Sequence, residues 1–596
     1  MAYRAPVSDI SFALNQIAGF DRHVEAGMFG ELDLATVRAI LEEAGRFAGE
    51  ELAPLNRSGD EHRAELRDGE VVLPPGWKEA YRKFWEGGWN ALPSPEDFGG
   101  QGLPTALAMA VAEMWNGANM AFGLNPLLTQ AGVDALYKYG AEALKAKYLP
   151  KMVSGEWTGS MQLTEPHAGS DLRFLNTRAV PRGDGSYRIT GTKIFITFGD
   201  HSLTENIVHI VLARLPEAPE GTKGISMFLI PKFLVNDDGS LGPRNDVRCA
   251  KLEHKLGIHG SPTCVLNYGD EEGAIGWMIG EPHSGLYYMF TMMNQARLGV
   301  GVQGVGLAEH AYQDALAYAR ERKQGSIGDT PPGDMTPIIN HPDVRRMLLS
   351  MKAKIAAARA ICSMNAVAID LAKHAGDEMS RAKADALAAL LTPVSKTYGS
   401  DIAVEVASEG IQVHGGMGYI EETGAAQHYR DARISPIYEG TNGIQMIDLV
   451  TRKLPLGGGE IVAAFLEDLK ETVREVQSSN EPAFGAIGEC LMEAVSDLEE
   501  TSHWLLRLLA ENRPAALAGA VPYGRLFANA AGGVFLARGA LAAVRGANGS
   551  GAGMDAAVTL ARHFAETQAP LSAGLKRAVY HSHETVLGPA ADAAFG

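Results

Sequence analysis

Apolar periodicity changes twice along this chain. From Leu34 to about Phe84, and again from Ala106 to about Leu149, apolar residues recur at helical spacing; in LATVRAILEEAGRFAGEEL, Val37, Ile40 and Leu41 share one stripe. Near Trp157 the texture shifts to short runs of branched and aromatic residues (YRIT, KIFIT, IVHIVLARL, ISMFLIP) divided by turns such as RGDGS. Helical spacing returns at Leu286 and persists toward the C-terminus. Closely spaced strands with no helix between them predict a compact antiparallel β domain set between helical regions. The expected class is α+β, mostly α.

A chain of 596 residues is too long for a single core. The boundaries read as an N-terminal extension (1–33), a helical domain (34–156), the β domain (157–285), a helical bundle (286–454) and a C-terminal helical extension (455–596) opening at the GGG of 457–459. A Gly-Asn-Ser linker is expected near Asn548 to Gly553. With 46% hydrophobic and 21% charged residues, there is ample apolar surface for folding, which excludes general disorder.

The net charge of −18, with no basic run, repels phosphate backbones and argues against nucleic acid as a partner. Cys249, Cys264, Cys362 and Cys490 form no CxxC and read as free thiols of a reducing cytoplasm. MAYRAPVSDISFAL has no signal-peptide pattern. The best membrane candidate, Val534 to Val544, is short and contains Arg538, so no membrane span is expected.

Gly299, Gly301 and Gly304 match G-x-G-x-x-G, but helical patterning lies on both sides. A dinucleotide fingerprint needs a strand before it, so close helix packing is the better reading. His581 and His583 lack a cluster at ligand spacing, and no metal is expected. No GxSxG supports a hydrolase elbow.

Four other segments carry more. MQLTEPHAGSD (Met161 to Asp171) runs from a strand into a turn with hydroxyls, able to aim N–H groups, Thr164 and Ser170 at a polar heterocycle or phosphate edge. KIFITFGD sets an aromatic beside Thr197. IQVHGGMGY carries glycines where backbone can approach a ligand. In ISPIYEGTNGIQ, Glu439 lies between apolar residues, a setting that raises a carboxyl pKa and prepares a general base. Singly, each also has a bland reading as an ordinary turn or solvated residue.

Together, in this order and spacing, TEPHAGSD, KIFIT, QVHGGMGY and IYEGT resemble the acyl-CoA dehydrogenase family over roughly Leu34 to Leu454. The resemblance implies a helical N-domain, a central β domain and a four-helix bundle. It also implies an FAD-dependent enzyme that desaturates acyl-CoA thioesters and passes electrons to an electron-transferring flavoprotein. YRAPVSDISFAL, MMNQARLGVGVQG and the tail narrow the resemblance to a subgroup that includes an enzyme of dimethylsulfoniopropionate breakdown, with other members acting on other acyl chains. That implies a short-chain substrate, 3-methylmercaptopropionyl-CoA first, giving methylthioacryloyl-CoA. Another short or medium acyl chain is the alternative.

In the family, a base takes the α-proton while hydride leaves the β-carbon for flavin N5. Hydrogen bonds from the base's own N–H and a flavin ribityl hydroxyl hold the thioester oxygen. The resemblance makes Glu439 the base; the other family location falls on Ala296, which cannot take a proton. It places Gln162, Leu163, Thr164, Phe195, Ile196 and Thr197 at the isoalloxazine, with Phe195 replacing the usual Trp. Arg322, Gln412, Gly415 and Gly416 match positions holding the pyrophosphate and adenine of a neighbouring subunit's FAD, implying a homodimer or dimer of dimers. Thr441 matches the hydroxyl after the base, and Ser170, Asn294, Arg297 and Gly440 match substrate positions. His341-Pro342 and Asn442-Gly443 depart from the pattern and put flavin contacts there in doubt. The tail is expected to cover a dimer surface. Rival readings are an acyl-CoA oxidase, a DNA-associating protein of the alkylation-response type, and a non-enzymatic assembly subunit.

Overall fold

The computed structural model describes residues 3–328, 331, 334–546 and 552–596. Two compact units form. One joins Met1–Arg46, Thr105–Gly117 and Arg297–Gly596; the other joins Phe47–Pro104 and Ala118–Ala296. Most of the Gly-Asn-Ser linker lies outside the described residues, and a helix is already under way at Ala552–Thr567.

The second unit is built on an eight-stranded sheet. Its strands are β1 (Thr158–Gln162), β2 (Arg178–Pro181), β3 (Tyr187–Thr197), β4 (Ile207–Arg214), β5 (Ile225–Pro231), β6 (Val247–Leu252), β7 (Thr263–Tyr268) and β8 (Ala274–Ile279). The order is β6-β7-β3-β8-β5-β4-β1, with β2 against β3 and β4. Strand alternation explains why IVHIVLAR is almost continuously apolar. Val208, Ile210 and Leu212 join one core cluster with Leu136, Tyr148 and Met152, while Val211 and Ala213 join another with Ile189, Phe228 and Leu266. A strand covered on both faces has no polar side to show.

Two details differ from the sequence reading. The sheet is not wholly antiparallel, because β1 runs parallel to β4; the long excursion between them permits a crossover that a tight hairpin could not make. Within the segment read as helix, Glu65–Arg67 and Glu70–Val72 form a hairpin. Asp68 (φ 50°) and Gly69 (φ 82°) supply its left-handed turn.

The first unit is helical. Gly285–Glu321, whose residues from Arg297 onward belong here, contains the whole Gly299–Gly304 motif. A Cβ on Gly301 would lie 2.5 Å from the Ser395 carbonyl oxygen, and one on Gly304 2.2 Å from that of Gly399. These glycines therefore let two helix backbones touch, and they cradle no phosphate.

Pro342–His374 and Ala520–Val544 do reach the length and apolarity of a membrane span, contrary to the sequence reading. Their most apolar stretches are 67% and 83% buried in protein, as core helices of this unit. The C-terminal helices Glu460–Ser478, Ile487–Glu511 and Ser572–Val586 pack on or around Ala520–Val544. The N-terminal extension is seated here too: Tyr3 is buried, Arg4 exchanges hydrogen bonds with Gln313, and Phe12 and Ile17 pack at Gly539. A buried charge network crosses the unit. Arg359 donates to Glu113 (2.7 Å) and Glu309 (3.0 Å), while Lys352 reaches Glu309 (3.1 Å) and Asp9 (2.7 Å).

Candidate active site

Glu439 stands on a turn held by its own sequence. Asn442 N–H donates to the Pro436 carbonyl at 3.0 Å, and Thr441 Oγ1 accepts from Ile444 N–H at 3.3 Å to cap the helix Asn442–Asp448. Between these anchors Glu439 (φ 55°) and Gly440 (φ 83°) are both left-handed. For glutamate that backbone costs roughly 1–2 kcal/mol, and it persists because neighbours over-determine it. Gln445 Nε2 donates to the Glu439 carbonyl at 3.1 Å, and the Tyr438 hydroxyl donates to Gln303 Oε1 at 2.6 Å. A Cβ on residue 440 would sit 2.8 Å from Gln445 Nε2 and displace that amide, and the φ of 83° there favours glycine.

The Glu439 side chain is half-buried. Burial pushes its carboxyl up to about 7, against the pull of Arg297 and Lys396. Arg297 is buried, and its own pKa is lowered by burial, against Asp448 and Glu439. A carboxyl poised near neutrality beside a fixed cation can accept a proton at physiological pH.

Sequence reasoning missed Lys396. It is fully buried on the helix Glu378–His414, and its Nζ donates to Asn442 Oδ1 at 2.7 Å. The departure at Asn442 thus has an inward-facing purpose.

In the sheet unit, the predicted flavin residues come together. Gln162 is buried: its Oε1 accepts from the Tyr268 hydroxyl at 2.5 Å, and its Nε2 donates to Ser160 Oγ (3.0 Å) and His209 Nδ1 (2.9 Å). Burial lowers His209 to about 3, which keeps that nitrogen an acceptor. With its side chain so engaged, Gln162 can offer a ligand only its backbone. Ile194 N–H donates to the Thr164 carbonyl at 2.9 Å, and Lys193 Nζ bonds the Leu163 carbonyl (3.0 Å) and Glu165 (2.9 Å). Glu165 also accepts from Asn176 N–H and Thr177 N–H. This lock joins the 162–164 and 195–197 segments.

Beyond it, Phe195 is left-handed (φ 59°) and 61% exposed, Ile196 is buried, and Leu163, Thr164 and Thr197 are half-buried. An exposed aromatic on a strained strand residue, next to half-buried polar edges, suits a flat heteroaromatic ring. Ser170 and Asn294 are exposed in the same unit.

Arg322, Gln412, Gly415 and Gly416 are exposed and form a separate group. Tyr318, whose carbonyl accepts from Arg322 N–H at 2.8 Å, stacks on His414 at 4.5 Å. Gly415 is left-handed (φ 60°), and the space beside both glycines is open. At 1.5 Å of rise per residue, position 415 lies roughly 28 Å along the helix from Lys396. These four therefore do not share the Glu439 turn. Pro342 opens the helix Pro342–His374, and His341 bonds the Gln324 carbonyl at 2.7 Å. A polar cluster the sequence had scattered brings His310, Asp314 and His428 within 4.8 Å of one another, with His428 on Asp314 at 2.9 Å.

Comparison with known proteins gives matches along most of the chain. Residues 35–156, 160–270 and 283–454 match the N-terminal, middle and C-terminal domains of acyl-CoA dehydrogenases. Residues 465–588 match a domain described as acetyl-CoA dehydrogenase C-terminal like. The chain is 49% identical to 3-methylmercaptopropionyl-CoA dehydrogenase of Ruegeria pomeroyi, over 91% of this chain and 92% of that one. Its fold is similar to Caenorhabditis elegans ACDH-11 in complex with C11-CoA (TM-score 0.78, 20% identity, 95% and 92% covered). It is also similar to an acyl-CoA dehydrogenase complexed with FAD from Bacillus anthracis (TM-score 0.71, 21% identity, 97% and 92% covered).

Proposed function

The chain belongs to the acyl-CoA dehydrogenase family, FAD-dependent oxidoreductases of acyl-CoA thioesters, and on that premise we propose that Glu439 is its catalytic base and 3-methylmercaptopropionyl-CoA its substrate. The observation that carries the base assignment is the half-buried carboxyl held near 7 on a rigid left-handed turn beside Arg297. The substrate assignment is supported by 49% identity over 91% of this chain.

In this reading Glu439 takes the α-proton of the thioester, and the β-carbon gives up a hydride, leaving methylthioacryloyl-CoA. Bound FAD supplies the two-electron acceptor for that hydride. The Glu439 N–H donates to the thioester oxygen as enolate character develops, and the buried Arg297 cation favours that charge. Gly440 lets the substrate approach the backbone, while Ser170 and Asn294 contact CoA. Backbone groups of Gln162 and Leu163, with Thr164, Ile196 and Thr197, meet the flavin edge, and Phe195 walls its face. Arg322, Gln412, Gly415 and Gly416, a group apart from the Glu439 turn, hold the FAD of a neighbouring subunit, with Thr441 serving its own. That sharing makes the protein a homodimer or dimer of dimers. Electrons leave to an electron-transferring flavoprotein in the cytoplasm.

Anaerobic mixing of the yellow holoenzyme with a panel of acyl-CoAs tests the reading. Fastest bleaching is expected with 3-methylmercaptopropionyl-CoA, and Glu439→Gln should keep its flavin yet fail to bleach. Normal turnover by that variant overturns the base; faster bleaching by butyryl-CoA overturns the substrate. Rapid peroxide formation on admitting air would make the enzyme an oxidase. Light scattering checks the subunit number.

A further inference from the structure

Lys396 is buried to 0% exposure in the helix Glu378–His414, beside Ser395 and Gly399, whose backbones touch the glycines of a neighbouring helix. Its ammonium donates to Asn442 Oδ1 at 2.7 Å. The amide nitrogen of Asn442 donates in turn to Asp401 Oδ1 at 2.6 Å and to Ser400 Oγ at 3.0 Å. The amide is thereby polarised between a cation at its oxygen and an anion at its nitrogen. Flipping it would set N–H against ammonium and carbonyl against carboxylate, so only one orientation is tolerated. Asn442 also closes the turn carrying Glu439, through its N–H to the Pro436 carbonyl at 3.0 Å. One side chain thus ties the base-bearing turn to a buried charge on another helix.

The charged and titratable groups around Glu439 come from each neighbouring element. Gly285–Glu321 contributes Arg297. Glu378–His414 contributes Lys396, with Asp401 drawn down by Arg525 and pushed up by Glu405. The chain around the base contributes Tyr438, and beyond it Asp448 and Arg452, which act on Arg297. An arginine stays charged at any pH the enzyme meets. Of the cations acting on the base, only Lys396 can change its charge near neutrality, since burial lowers it to about 7.

We infer that Lys396 is a positioning residue for Glu439: through Asn442 it pins the turn that carries the base, and its buried charge favours the ionised carboxylate. The inference rests on the reading of Glu439 as the base. No part of it requires Lys396 to touch substrate or flavin.

The test follows anaerobic flavin bleaching by 3-methylmercaptopropionyl-CoA or butyryl-CoA across neutral pH, using intact holoenzyme. Lys396→Met should bind a full complement of FAD, move the acidic limb of the rate profile up by about one pH unit, and recover rate at higher pH. Lys396→Arg, which keeps the charge, should leave the limb where it is. Asn442→Ala should lower the plateau at every pH by about tenfold, because the turn keeps its main-chain closure but loses its side-chain tether to the neighbouring helix while the charge remains. An unmoved limb in Lys396→Met overturns the inference. If that variant does not fold, an Asn442→Ala profile identical to the parent's overturns it instead. Glu439→Gln run alongside separates the two failures: activity there sinks the base itself, whereas a dead Glu439→Gln with an unmoved Lys396→Met limb sinks only the role of Lys396.

Discussion

The side-chain amide of Gln445 donates to the main-chain oxygen of Glu439 at 3.1 Å, so a residue on the following helix fixes the backbone that carries the Glu439 carboxyl. The same amide fills the space a side chain at position 440 would need.

Gln445→Met keeps the volume and removes the bond. We expect unchanged FAD content and a bleaching rate lower by about tenfold or more, since small misplacements of a reacting group are costly. Stopped-flow reduction reads this directly, and a parental rate would show the bond to be dispensable for aim.

The raised pKa of Glu439 has a cost in stability with a definite sign. Its folded pKa, about 7, lies above the ordinary carboxylate value. The contribution is therefore fully present below the unfolded pKa and is lost as pH rises through about 7. Glu439→Gln removes that loss. At pH above 7 the variant should be more stable than the parent by about 1–3 kcal/mol, a figure reduced for partial exposure, and the difference should vanish near pH 4. Guanidinium titrations at the two pH values measure it.

Lys193 and Glu165 are 0% and 2% exposed at the side chain, 2.9 Å apart. Lys193→Met strands a carboxylate in the core and should cost about 3–5 kcal/mol, with loss of FAD on gel filtration. Lys193→Met with Glu165→Gln should recover much of that loss, and strict additivity of the two would argue against a coupled lock.

Arg359 separates Glu113 from Glu309 in the helical unit, all three nearly inaccessible. Removing it as Arg359→Met should destabilise by about 3–5 kcal/mol at neutral pH, leaving two carboxylates with only Lys352 nearby. A midpoint shift in denaturant, with the flavin spectrum unchanged before unfolding, is the expected record.

What could be read from sequence followed from how local the signal is. IVHIVLAR and KIFIT announce strands by residue type alone, and the helical flanks of Gly299–Gly304 suffice to set aside a dinucleotide loop. Glu439 and Gly440 are legible as a candidate base and its turn because the pattern is contiguous, and the turn is left-handed at both residues. Lys396 is not, because its partners lie 46 positions away and its helix context reads as core. The hairpin at Asp68-Gly69 did carry a turn dipeptide, overridden by the helical stripe around it. The N-terminal extension shows its seat only in the structure, where Gly117, Gln313 and Gly539 receive Tyr3, Arg4 and Phe12.

That seating dictates the order in which the polypeptide can mature. The opening segment must wait, unburied, until the ribosome has delivered the strand of chain around Gly539 that receives Phe12 and Ile17. The sheet unit, drawn wholly from residues before Arg297, can condense while synthesis continues, whereas the helical unit needs segments from both ends of the sequence. Loss of the chain around Gly539 thus exposes Phe12 and Ile17, so damage there is felt at the opening segment.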